Sequence, residues 1–224
     1  MNDTVVISGA NRGIGLALCR DYLNQGAKVI ALCRSPSDAL AASGAKVIDG
    51  VDVCDPAGLS TLAERLDVPA IDVLINNAGV LFEDSLEHMD AQAIEHMRTQ
   101  FEVNTLGPLH LTLALRPLLK KGSKAAIITS VMGSMTDNTS GGYYGYRASK
   151  AAVNMVGRSL AVDLRDDGII VGLVHPGYVR TDMTGGNGHI EPQESARGIA
   201  RVIADLTAER SGEFRHSSGD ELPW

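Results

Sequence analysis

The chain has 224 residues, 44% hydrophobic and 21% charged, with a formal net charge of −7 at pH 7. That is enough for one sizeable core, and an acidic balance with no long basic run argues against a nucleic-acid binder. No apolar run approaches membrane-spanning length, and the opening MNDTVVISGANRG lacks the regions of a signal peptide. Three scattered cysteines, Cys19, Cys33 and Cys54, suggest free thiols in a reducing compartment. A cytoplasmic protein is therefore expected, with one domain over residues 1–224. No C-x-x-C or H-E-x-x-H occurs and the six histidines are dispersed, so no metal site is expected.

TVVIS (4–8) is apolar, β-branched and bounded by Gly9, which predicts a buried strand. GIGLALCRDYLNQGA has helical spacing and stops at Gly26. KVIALC (28–33) and AKVID (45–49) are further strands, and AGLSTLAERL (57–66) is helical behind Pro56. IDVLINNAG (71–79) predicts a strand ending in a polar turn. A long helical region covers about 90–121, and Pro108 and Pro117 should bend or end parts of it. AAIITS (125–130) is a strand, 131–142 a loop of small and polar residues, and 143–166 a helix. IIVGLVH (169–175) is a strand stopped by Pro176, ESARGIARVIADL (194–206) a last helix, and the tail holds one short strand. Strands apolar on both faces and alternating with helices predict an α/β fold, a doubly wound parallel sheet of Rossmann type.

SGANRGIG (8–15) joins the first strand to the first helix. Glycines there let the backbone turn and approach a pyrophosphate, while the helix N-terminus offers N–H groups. Gly9, Asn11, Arg12, Gly13, Ile14 and Gly15 are the candidate contacts. An NAD site carries an acid about 20 residues further on, for the ribose 2′-hydroxyl. Strand two ends instead in Leu32-Cys33-Arg34-Ser35. Arg12 and Arg34 are either surface charges or guanidinium forks for a 2′-phosphate, and the missing acid favours NADP(H) over NAD(H). Asp52 and Val53 are candidates for the adenine side.

YYGYRASK (143–150) puts three tyrosines ahead of one lysine. On a helix, residues four apart share a face, which pairs Tyr146 with Lys150, Tyr144 with Ala148 and Tyr143 with Arg147. An ammonium beside a phenol lowers the phenol's pKa, so Tyr146 is the tyrosine with a group placed to tune it.

The glycine turn, NNAG, VNTLG, TSVMGS, YGYRASK and HPGYVRT stand in one order along nearly the whole chain. Together they resemble the short-chain dehydrogenase/reductase family. DNTSGGYYGYRASKAAVNM and GDELPW resemble, more narrowly, its small carbonyl-reductase group that includes sniffer and the C-factor signalling protein. The resemblance implies a catalytic set of Asn104, Ser130, Tyr146 and Lys150. Tyr146 would give a proton to the substrate oxygen, and Ser130 would hold that oxygen. Lys150 would lower the Tyr146 pKa and hold the nicotinamide ribose, and Asn104 would anchor a water. The stretch from Ser130 to Tyr146 is longer than in many members, which leaves Ser134 as a rival to Ser130. Asn77, Ala78 and Gly79 would line the cofactor site. Pro176, Gly177, Val179 and Thr181 belong to the segment that would cover the nicotinamide.

DMTGGNGHI (182–190) is short and glycine-rich, which suggests a mobile, open mouth. Gly141, Gly142, Met132 and Met183 are candidates to line it, although methionines also fill cores. A small carbonyl or alcohol is the expected substrate, drawn from a broad range. FEVNTLGPLHLTLALRPLL is apolar on more than one face, which with the resemblance points to a homodimer or homotetramer. Two other readings stay open: a cofactor-binding signalling partner, and an alcohol dehydrogenase working oxidatively.

Overall fold

The computed structural model describes residues 3–224. Seven parallel strands form one sheet in the order β3-β2-β1-β4-β5-β6-β7. β1 (Thr4–Ser8) leads through the glycine turn into α1 (Gly13–Asn24), which ends where Gly26 takes φ +82. β2 (Lys28–Leu32), α2 (Asp38–Ala41) and β3 (Lys46–Ile48) follow, and the Ser37 hydroxyl caps α2 by accepting the Leu40 N–H. The helix expected over 57–66 is two short pieces, α3 (Pro56–Leu59) and α4 (Leu62–Leu66), broken at Ser60-Thr61. β4 (Ile71–Asn76) returns beside β1, with Val5 opposite Val73.

The expected long helical region is a composite. α5 (Ala91–Phe101), capped by Asp90, runs through a π-helical stretch (Glu102–Leu106) into α6 (Gly107–Leu115), and Pro117 sits in the 3-10 turn that closes it. Pro108 therefore opens α6 rather than ending a helix. β5 (Leu119–Ile128) begins six residues before the apolar run that announces it: Leu119 pairs with Ile71 and Lys124 with Val73 and Ile170, and the register shifts between them. α7 (Tyr144–Asp163), β6 (Ile170–His175), α8 (Pro192–Ala204) and β7 (Phe214–His216) complete the chain.

Side chains alternate across each strand. Val5 and Ile7 pack with α1 and α8 on one face of the sheet, and Val6 packs with α3, α4, α6 and α7 on the other. Both faces are covered, which is why the strands read as continuous apolar runs. The order reverses between β1 and β4, and ligands of such sheets sit at the strand C-termini at that point. Among the described residues no helix is long and apolar enough to cross a membrane.

Candidate active site

A cleft of about 710 Å³ opens at that switch point. The glycine turn forms its floor. An added Cβ on Gly15 would stand 2.2 Å from the Gly9 carbonyl oxygen, so the turn admits no side chain there. Gly9, Asn11, Arg12, Gly13, Ile14 and Gly15 all border the cleft, as do Arg34, Asp52 and Val53 along one wall. Asn77, Ala78 and Gly79 form the next wall. They are tied to the floor by Ser8, a residue sequence reasoning missed: its hydroxyl accepts the N–H of both Asn77 and Ala78, at 3.0 and 3.1 Å. The signal was present in a hydroxyl ending an otherwise apolar strand.

Arg12 and Arg34 separate in the structure. Arg12 Nη1 reaches across to Asp182 Oδ2 at 2.9 Å, joining the glycine turn to the segment after β6. Arg34 makes no ion pair among the described residues and borders the cleft just past β2, with Asp52 on the same wall. Asp52 turns one oxygen to the Cys54 N–H at 2.9 Å.

The opposite end of the cleft holds Tyr146 and Lys150 on successive turns of α7, 7% and 5% exposed. Tyr143 occupies the left-handed region at φ +51 just before the helix, and Asp84 caps α7 from 60 residues upstream. Its carboxylate accepts the N–H groups of Tyr144 and Gly145. This cap has no sequence signal near Tyr146, because capping patterns are local and this one crosses the fold.

Lys150 does not depress the Tyr146 pKa as expected. Burial dominates and pushes the phenol up to about 12, with the neighbouring Ser130 hydroxyl opposing. The ammonium lies 5.7 Å over the ring centroid, and burial lowers its own pKa to about 8. Lys150 Nζ donates to the Ile128 carbonyl at 3.0 Å.

Ser130 stands just past β5 beside Tyr146, and its Oγ accepts the Met132 N–H at 3.1 Å. Ser134 instead accepts the Asp137 N–H at 3.1 Å and serves its own turn. Asn104 lies in the π-helical stretch with its side chain fully engaged. Oδ1 accepts the Val80 N–H, and Nδ2 donates to the Val80 carbonyl and to Ser149 Oγ. Pro108, four residues on, has no N–H for the Asn104 carbonyl.

Pro176 and Thr181 border the cleft, whereas Gly177 and Val179 build the turn behind it. Val179 is buried and bridges to Ile190. The segment to Glu191 is hydrogen-bonded across its base, Arg180 N–H to Ile190 and His189 N–H to Tyr178. Of the residues expected at the mouth, Met183 borders the cleft, while Met132, Gly141 and Gly142 do not.

The family model described as short chain dehydrogenase matches residues 3–191. A 1-hydroxy-2-glutathionyl-2-methyl-3-butene dehydrogenase of Rhodococcus sp. (strain AD45) is 44% identical over 227 residues, 99% of each chain. The C-signal protein of Myxococcus xanthus is 46% identical over 157 residues, 69% of this chain and 93% of the relative. Among solved structures, the NADPH-bound carbonyl reductase from chicken fatty liver has a TM-score of 0.87 at 32% identity, covering 99% of this chain and 98% of that one. Carbonyl reductase Sniffer of D. melanogaster has a TM-score of 0.89 at 28% identity, covering 100% of both. The narrower likeness read from the stretch around Tyr146 is thus borne out. A family match over most of the length, with relatives named as dehydrogenases and reductases, makes the chain an oxidoreductase that belongs to the short-chain dehydrogenase/reductase family.

Proposed function

We propose that the protein reduces the carbonyl group of a small molecule to an alcohol with NADPH, and that Tyr146 supplies the proton. The observation that carries this reading is the layout of one cleft: a buried phenol and a buried lysine at one end, and at the other Arg34, which makes no ion pair among the described residues. The side-chain-free approach of Gly15 to Gly9 fits a pyrophosphate on the α1 N-terminus. The relative crystallised with NADPH supports the phosphorylated cofactor. When bound, NADPH supplies the hydride.

The protein's own groups handle the oxygen. At a pKa of about 12, Tyr146 keeps its proton at neutral pH and can give it to the oxygen as charge develops there. Ser130 Oγ accepts one N–H and its hydroxyl neighbours the Tyr146 phenol, so both hydroxyls can hold the same oxygen. Lys150, with a pKa of about 8, is largely charged at neutral pH and can return a proton toward Tyr146. The Asn104 side chain is engaged, so its backbone carbonyl is the group left to bind solvent on the path to Lys150.

Phe101, Leu113, Met155 and Val162 on the outer faces of α5, α6 and α7 are exposed, and we assign them to a contact between copies in a homodimer or homotetramer. Buried free thiols at Cys19 and Cys33 suit a cytoplasmic setting. The likeness to C-signal supports a second reading, a cofactor-binding protein with a signalling role. The test is oxidation of NADPH and NADH against aldehydes, ketones and quinones, with Tyr146→Phe alongside. We expect turnover favouring NADPH, a loss of about 10²–10⁴-fold in the variant, and retained cofactor binding. A variant that turns over as the wild type would overturn the proton-donor assignment. Cofactor binding without turnover on any carbonyl would favour the signalling reading.

A further inference from the structure

Three consecutive residues where β5 leaves the sheet meet three rungs of one stripe on α7. Tyr146, Lys150 and Asn154 are spaced four apart and all are buried. The Ile128 carbonyl accepts Lys150 Nζ at 3.0 Å. The Thr129 hydroxyl donates to Asn154 Oδ1 at 2.6 Å. Ser130 neighbours Tyr146. The first and third contacts belong to the proposed chemistry. The second has no role there, yet Thr129 stands between the other two on the strand.

Asn154 is costly as a structural choice. It is 3% exposed and Thr129 2% exposed, and Asn154 Nδ2 has no hydrogen-bond partner among the described residues. A leucine would suit that stripe better if only packing mattered. The Thr129–Asn154 bond also lies where it has mechanical leverage. Regular pairing of β5 with β6 ends at Ile128 opposite Val174, and past it the Thr129 N–H makes one more bond, to the Val174 carbonyl. The next residue is Ser130. Gly133, a turn later, is pressed so close to α7 that an added Cβ would stand 2.7 Å from the Lys150 carbonyl carbon. The strand end is therefore fastened to α7 on both sides of Ser130.

We propose that Asn154 and Thr129 are positioning residues, a buried hydrogen-bonded pair that fixes Ser130 on the strand end against Tyr146 on the helix. The proposal rests on the carbonyl-reductase reading above. Losing the pair lets the strand end shift relative to α7, which lengthens the reach from both hydroxyls to one substrate oxygen; Thr129 borders the cleft, whereas Asn154 does not.

Thr129→Val and Asn154→Leu keep shape and remove the bond, and the double variant removes both partners. For a pair that acts as one unit, each single variant should lose roughly tenfold in kcat and the double no more than either. In Asn154→Leu, whose side chain does not border the cleft, NADPH affinity should stay within about twofold, and the primary isotope effect from deuterated NADPH should rise as the chemical step becomes limiting. Thr129→Ser restores the hydroxyl and should return kcat to within about twofold of wild type. Single variants at wild-type kcat, losses that multiply in the double, or Thr129→Ser failing like Thr129→Val would each overturn the proposal. Wild-type protein inactive on every carbonyl would instead sink the reductase reading. The pair is then judged on crystal structures of the two single variants: a widened Ser130–Tyr146 separation supports it, and an unmoved one overturns it.

Discussion

Lys150→Met should make the protein more stable while abolishing its proposed activity. Lys150 is a buried cation with no carboxylate acting on it, and burial lowers its pKa from 10.5 to about 8. At about 1.4 kcal/mol per pH unit, holding it charged at pH 7 destabilises the fold by about 3 kcal/mol. Methionine fills a similar volume without charge. The Ile128 carbonyl loses its donor, which takes back about 1 kcal/mol. A net gain of about 2 kcal/mol should raise Tm by about 4–8 °C in a chain of this size. The pH dependence identifies the cause. The unfolded chain binds the Lys150 proton more tightly, so wild-type stability from this group is lowest below pH 8 and recovers as pH rises toward 10.5. Thermal unfolding of both proteins at pH 7 and pH 10 is the assay. The gap should be wide at pH 7 and narrow at pH 10. A variant less stable than wild type at pH 7, or a gap unchanged between the two, would refute the reasoning.

Arg34→Asp should weaken NADPH relative to NADH by about 10–100-fold, the range expected for one charged hydrogen-bonding group, measured as the ratio of the two cofactors' kcat/KM. An unchanged ratio would remove Arg34 from the phosphate site. Ser130→Ala should lower kcat by about 10²-fold or more, while Ser134→Ala should mainly lower Tm, since its hydroxyl serves the turn to Asp137. The reverse pattern would move the assignment to Ser134. Met155→Glu puts a charge on a side chain that is 67% exposed, and should shift the protein toward monomer in size-exclusion chromatography without altering cofactor affinity.

What the sequence showed and hid follows from the range of the interactions involved. β1 and α1 were readable because an apolar run, a glycine turn and Gly26 are local signals. The start of β5 was not: Leu119 to Lys124 is mostly polar, and only its two ends pair with neighbouring strands, across a shift of register. Pro108 marked an irregularity correctly but not its kind, since a π-helical stretch keeps one helical course through a proline that an isolated helix would not. At the site, helical spacing placed Tyr146 and Lys150 together, because that is geometry. The sign of the Tyr146 shift was misread, because it depends on burial that only the assembled fold creates. Asp84 capping α7 and Ser8 holding Asn77 and Ala78 both span 60 residues or more, so no local pattern announces them.

The switch between β1 and β4 also has a kinetic consequence. Val5 meets Val73 only after a loop of nearly seventy residues closes, and Lys150 and Thr181 join later still along the chain. Loop closure of this length is slow relative to local helix formation. No early folding intermediate can therefore hold the dinucleotide across the finished cleft. Cofactor added to refolding protein should leave the first phase unchanged and act only on the last, as a trap for the completed sheet. During synthesis, the ribosome must release the chain well past β6 before the same capture becomes possible.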